Sequence, residues 1–223
     1  MMCEKGFRLW DEYRRIPVEE MQEQARNHFT NMSRRRSVRA FSDEPIPRDV
    51  IESCLRTAAS APSGASRQPW HFVVVQNPEV KKRIRTEAEQ EERAFYGGRA
   101  SQEWLRALRP FGTNAEKPFL ETAPALIAVF AQSYRLEADG SRSRNYYVNE
   151  SVGLAVGFLL TSLHLAGLAC LVHTPSPMGF LNKILERPKN ERAYLQLIVG
   201  YPEEGVQVPV LSRQPFAETV SFR

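Results

Sequence analysis

The sequence predicts an α+β or α/β domain built around one sheet. Three observations lead there. Four short apolar runs, residues 71–76, 124–132, 168–174 and 194–202, have the length and content of buried strands. Segments with helical apolar spacing precede and separate them, so helices and strands alternate. No internal repeat, low-complexity tract or linker divides the 223 residues, and 42% hydrophobic content is enough for one sizeable core.

In chain order, Pro17 opens an amphipathic helix over residues 17–32. Pro47 opens another over 47–61, with Ile51, Leu55, Ala58 and Ala59 on one face. Residues 62–70, "PSGASRQPW", form a loop rich in Pro, Gly and Ser before the first strand. Residues 78–96 read as a charged, mostly solvated helix. Residues 97–117 begin at Gly97-Gly98, hold few large apolar residues and read as a mobile excursion. The second strand, 124–132, follows. From Ser151 to Asn182 there is no Asp, Glu, Lys or Arg, and 152–172 is long enough to span a bilayer. It is expected instead as a fully buried helix from about residue 145 to 166, ending near Gly167, followed by the strand at 168–174. Thr161, Ser162 and His164 interrupt the apolar run, and no basic cluster flanks it closely. A helix over 177–186, the strand at 194–202 and a tail complete the chain.

Composition excludes several chemistries. Cys3, Cys54 and Cys170 have no paired spacing, which argues against a disulfide framework or zinc site and favours a reducing compartment. Four histidines show no metalloprotease spacing, and no phosphate-loop, dinucleotide or nucleophile-elbow motif occurs. The first residues lack the apolar core of a signal peptide. Net charge is only +4, and the basic residues are concentrated at one place, "RRRSVRAFSD" (34–43), rather than along a stripe. Polynucleotide binding is therefore disfavoured. Arginine forks with a serine hydroxyl suit a single terminal phosphate. A solvated helix end explains the cluster equally well on this motif alone.

Four segments in order, "RRSVRAFSDEPIP", "TAASAPSGASRQPWHFVVV", "GLACLVHTPSPMGFLNKIL" and "LIVGYP", resemble the nitroreductase superfamily of flavoproteins. More narrowly, over about residues 12–216, they resemble the iodotyrosine deiodinases. The resemblance implies a nitroreductase-like α+β fold with a central mixed sheet flanked by helices, in a domain-exchanged homodimer with FMN at the interface. One domain, 1–223, would carry an N-terminal helical arm (1–33), an active-site lid (97–117) and a C-terminal extension (203–223). Carried over by position, Arg35, Arg36, Ser37, Arg39 and Arg213 would hold the FMN phosphate and ribityl chain. Ser63, Val172, His173 and Thr174 would also contact the cofactor.

The narrower resemblance assigns Glu92, Tyr96 and Lys117 to the zwitterion of a halotyrosine and the Ala65 N–H to its phenolate oxygen. The spacing agrees, because residues four apart on a helix share a face. A solvated acidic face and a surface lysine would look the same in sequence. Thr174 is the expected catalytic residue, its hydroxyl facing flavin N5 to support stepwise electron transfer. The implied activity is reductive dehalogenation of iodo-, bromo- and chlorotyrosine, with electrons from NAD(P)H or a flavin or ferredoxin reductase system. A general nitro- or quinone reductase, a non-catalytic flavin or halotyrosine binder and a flavin-fragmenting enzyme are the alternatives. Ala115 stands where relatives often carry an aromatic residue, and Gly179 where they often carry Asn. Animal members also carry a membrane anchor, so the chain resembles soluble bacterial forms and is expected in the cytoplasm without a membrane partner.

Overall fold

The computed structural model describes residues 6–223; Cys3 and the first residues of the expected arm lie outside that range. The chain divides into a unit ending at Arg35 and a unit of Arg36–Arg223. The first unit is dominated by α1 (Val18–Ser33), with Pro17 immediately before it and Glu19 and Glu20 in its first turn. Both features favour a helix start. No residue of α1 is buried, and Met21 and Phe29 are exposed.

The second unit contains α2 (Arg48–Ala59), β1 (Trp70–Val75), α3 (Pro78–Ala94), α4 (Gln102–Leu108), α5 (Phe119–Thr122), β2 (Ala125–Gln132), β3 (Tyr134–Leu136), β4 (Arg142–Arg144), α6 (Val148–Leu165), β5 (Ala169–His173), α7 (Gly179–Ile184), β6 (Glu191–Gly200) and α8 (Phe216–Thr219). The main sheet runs β1-β2-β6-β5, with every neighbouring strand pair antiparallel. One parallel bridge, between Ser37 and Cys170, makes it mixed. The four strands match the four apolar runs of the sequence. The β3–β4 hairpin has only three residues per strand and no apolar run to announce it.

β2 shows why its run is uninterrupted. Ala125, Ile127, Val129 and Ala131 face one side, with α2 and α6, while Leu126, Ala128 and Phe130 face the other. A strand covered on both faces loses the apolar–polar alternation of a half-exposed one.

Three expectations change in detail. On α2 the buried residues are Ile51, Cys54 and Ala58, while Ala59 is exposed. At 100° per residue, Cys54 lies on the Ile51–Ala58 face and Ala59 rotates off it. On α6 only one face is buried, through Val152, Ala155, Val156, Leu159 and Leu163; Leu154, Phe158 and Leu165 are exposed. The sheet and α2 can cover one side of a helix, so apolarity all round did not mean burial all round. Finally, α3 is less solvated than its charge suggests, for Lys81, Ile84, Ala88 and Glu89 are buried.

Candidate active site

The end of α3 creates the site. Asn77 caps its start, its side chain accepting the Val80 N–H at 3.1 Å. At the other end the helix widens into a π turn, Phe95–Arg99, in which Gly98 takes φ 144°. Only glycine adopts that region readily. Arg99 closes the turn onto Glu91 with two bonds of 2.9 Å to the carboxylate and one of 2.8 Å to the carbonyl. The following segment is not a bare excursion. Ser101 Oγ accepts the Trp104 N–H at 3.2 Å and caps α4, and Gly112 ends the next short turn with φ 58°.

The segment returns to α3 at Lys117, whose backbone N–H donates to Glu89 Oε1 at 2.8 Å. Arg85 holds that carboxylate at 2.7 Å. Burial would raise the Glu89 pKa, but the Lys117 N–H and Arg85 outweigh it and keep it below the usual carboxylate range. The acidic face read as solvated therefore ties down the base of the excursion.

Above Glu89 a cleft of about 210 Å³ opens between α3, residues 95–117 and the end of β5. Of the residues singled out in the sequence, Arg39, Glu92, Tyr96, Lys117, Val172, His173 and Thr174 line it. Lys117 is 3% exposed and its Nζ lies 3.2 Å from Glu92 Oε2. The same Nζ donates to Thr113 Oγ1 at 3.2 Å and to the Asn114 carbonyl, and stands 5.7 Å from the Tyr96 ring centroid. Burial lowers the Lys117 pKa; Glu92 opposes this and Arg39 adds to it. For Glu92 burial acts upward, but His173 and Lys117 together keep it below the usual value. The cleft thus holds one carboxylate and one ammonium, each compensating the other inside the protein.

Arg39 stands 5.8 Å from the Phe111 ring centroid, and burial lowers its pKa while Tyr96 acts in the opposite direction. Aromatic walls complete the cleft and were missed in the sequence. Phe95 packs edge-on against Tyr96 and Trp104, with centroids 5.3 and 4.9 Å apart. Phe119 is edge-on to His173 at 5.9 Å. The signal available was Trp104 itself, a large aromatic beside Leu105 and Leu108 in a segment that begins with two glycines.

The other candidates lie elsewhere. Ser37 forms its bridge at the β5 edge, Arg36 donates to the Pro209 carbonyl, and Arg213 is exposed in the C-terminal segment. Arg35 ends the first unit and is described only with it; its N–H donates to the Met32 carbonyl at 3.2 Å.

Ser63 and Ala65 belong to the loop before β1, which does not line the cleft of this chain. That loop is unusual in its own right. Ala65, Ser66 and Gln68 all have φ near 50°, at about 1–2 kcal/mol each for non-glycine residues. Its neighbours hold it in place: Ser63 Oγ accepts the Gln68 N–H at 2.9 Å, Ser151 Oγ accepts the Gly64 N–H at 3.2 Å, and Arg67 donates to Asn145 at 3.1 Å. A side chain at Gly64 would meet the Tyr146 carbonyl at 2.7 Å. Backbone strain maintained in this way is a frequent mark of a functional loop.

A family model described as the nitroreductase family matches residues 32–201. Iodotyrosine deiodinase of Haliscomenobacter hydrossis is 55% identical over 196 residues, covering 88% of each chain. Iodotyrosine deiodinase 1 of Homo sapiens is 41% identical over 200 residues, 89% of this chain and 69% of that one. A crystal structure of oxidised iodotyrosine deiodinase bound to FMN and 3-iodo-L-tyrosine aligns with TM-score 0.74 at 31% identity, covering 87% of this chain and 100% of that one. The chain belongs to the nitroreductase family, in its iodotyrosine deiodinase branch.

Proposed function

We propose that this protein is an FMN-dependent oxidoreductase that removes halogen reductively from halogenated tyrosines, releasing tyrosine and halide. The observation that carries the reading is the Glu92–Lys117 pair at 3.2 Å in the cleft, with Tyr96 beside it. An amino-acid zwitterion offers each member a partner of the right sign. Its ammonium takes Glu92 and its carboxylate takes Lys117, so neither charge is left buried alone. A halophenol without the amino-acid group offers no such exchange.

The donor set fits FMN. Arg36, Arg39 and Arg213 with the Ser37 and Ser63 hydroxyls are the cations and donors that a terminal phosphate requires. Leu171, Val172 and Phe119 supply apolar wall for a planar ring system, and Thr174 adds a hydroxyl at its edge. Reduced FMN supplies the two electrons that, with a proton, replace the carbon–halogen bond by carbon–hydrogen. The protein's part is to bind and orient. Glu92, Tyr96 and Lys117 hold the amino-acid end, residues 97–117 exclude water, the Ala65 N–H faces the phenolate oxygen, and Thr174 tunes the cofactor through hydrogen bonding.

A homodimer belongs to this reading. The cleft on one chain, about 210 Å³, is smaller than the roughly 300–1,000 Å³ of ordinary ligand sites. Ser63 and Ala65 are not in its walls. The exposed apolar residues Leu154, Phe158 and Leu165 of α6, and Met21 and Phe29 of α1, offer surface for a second chain to cover. The electron donor is NAD(P)H or a flavin or ferredoxin reductase system, and the protein works in the cytoplasm.

The deciding experiment is anaerobic. The purified FMN-loaded protein is reduced, mixed with iodo-, bromo- or chlorotyrosine, and flavin absorbance and tyrosine release are followed. Reoxidation matched by one tyrosine per flavin is expected. No reoxidation by any halotyrosine, or faster reoxidation by a nitroaromatic, overturns the assignment.

A further inference from the structure

Glu92 is flanked on two sides. Lys117 takes Oε2, and His173 Nε2 approaches Oε1 at 3.7 Å. His173 lies at the end of β5, where its cross-strand partner is Gln196 of β6. Its side chain is 8% exposed, edge-on to Phe119, with Nδ1 3.5 Å from Gln196 Oε1. Gln196 is fully buried, and neither its amide nitrogen nor His173 Nε2 has a hydrogen-bond partner among the described residues, so Nε2 meets Glu92 as a close charge contact and not as a formed hydrogen bond. The family resemblance assigns His173 to the cofactor; its imidazole also lies beside the Glu92 carboxylate.

The two contacts differ in kind. Lys117 is needed by the ligand, because the carboxylate of a bound amino acid draws its ammonium away from Glu92. His173 is fixed within the sheet and has nowhere to go. Turning the Gln196 amide over gives its unpartnered nitrogen the Nδ1 acceptor and leaves the proton on Nε2, facing Glu92. In the imidazolium both ring nitrogens carry protons, and the Nε2 proton again faces Glu92. Either way a positive or donor edge points at Oε1.

We propose that His173 is a positioning residue for Glu92: aligned by Gln196, it fixes Oε1 so that Oε2 remains presented to the substrate ammonium when Lys117 is drawn away. The inference rests on the halotyrosine reading for the identity of the ligand, but not for the contact between the two side chains.

The test compares FMN-loaded wild type, His173→Leu and His173→Gln. Binding of 3-iodotyrosine and of its analogue lacking the amino group, 3-(4-hydroxy-3-iodophenyl)propionate, is read by flavin fluorescence. His173→Leu should lose about tenfold in iodotyrosine affinity and less than twofold for the analogue. His173→Gln, whose amide nitrogen can reach the place of Nε2, should recover most of the loss. Equal weakening for both ligands would mark a packing role and overturn the proposal, as would unchanged iodotyrosine affinity. A second arm needs no ligand. The Glu92 carboxyl titration, followed by carbon NMR, should move up in His173→Leu relative to wild type, and an unmoved midpoint overturns the contact. Wild type that fails to bind iodotyrosine overturns the functional reading, and the NMR arm still decides the His173–Glu92 contact.

Discussion

Lys81 and Lys117 invite comparison. Lys81 is on α3 and Lys117 is tied to it by its backbone. Both are buried, at 7% and 3% exposure, and burial lowers the pKa of each. Their partners differ. Lys81 Nζ donates to the carbonyls of Glu121 at 2.7 Å and Ala123 at 2.8 Å, satisfying backbone at the end of α5. Those acceptors cannot leave without unfolding the turn. Lys117 Nζ also donates to one backbone carbonyl, that of Asn114, and to Thr113 Oγ1, but it faces in addition a side-chain carboxylate in an open cleft, and a ligand can replace that partner. Burial alone does not separate a structural lysine from a binding one; the exchangeability of its partner does.

The sharpest way to break this comparison is Lys117→Gln. Truncating one member of a buried charge pair in a binding site costs about 2–5 kcal/mol. Iodotyrosine affinity should therefore fall by at least about thirtyfold, with FMN content unchanged. Titration of flavin fluorescence checks it, and a loss below threefold would remove the distinction between the two lysines.

Arg39→Ala should weaken FMN retention next. A charge-assisted contact is worth roughly 1.5–3 kcal/mol, or about ten- to a hundredfold in affinity. Equilibrium dialysis of free FMN against the variant measures this, and wild-type retention would reassign the phosphate to other residues.

Lys81→Met should do the reverse of Lys117→Gln. Two buried carbonyls lose their donor, so unfolding free energy should drop by about 1–3 kcal/mol in urea titration, with iodotyrosine affinity kept. A variant that lost affinity instead of stability would invert the comparison.

The smallest effect is on pH dependence. Glu89 and Glu92 both have folded pKa values held below the usual range, against the upward effect of burial. Their stabilisation is complete above the unfolded value, about 4.3, and is lost as pH falls through the lower folded values. Glu89→Gln should flatten the fall in Tm below about pH 4.3. The lysines give a slope of the same sign at the alkaline end, because their folded values are lowered as well. The folded chain sheds protons first, and stability gains as pH climbs from those values toward about 10.4. Lys81→Met should remove part of that gain.

The sheet strands were legible because each is a short apolar run between turn residues, and burial on both faces of β2 left that pattern unbroken. The Glu92–Tyr96 spacing was legible because a helix places residues four apart on one face. Family resemblance, not periodicity, supplied Lys117 and Thr174, which come from segments far from α3 in the chain. The β3–β4 hairpin escaped notice because three-residue strands carry too little pattern, and α4 because its seven residues make only about two turns.

By itself, then, the sequence determined the four strands of the main sheet and the longer helices, and that a phosphate-suited arginine cluster lies near residue 36. Local periodicity and side-chain chemistry are properties of neighbouring residues, and a sequence displays neighbours. The tertiary structure alone decided that Glu89 anchors Lys117, that Lys81 caps α5, that α6 keeps one apolar face exposed, and that His173 turns toward Glu92. Each of these depends on groups brought together from distant parts of the chain, where burial removes water and makes the choice of partner decisive.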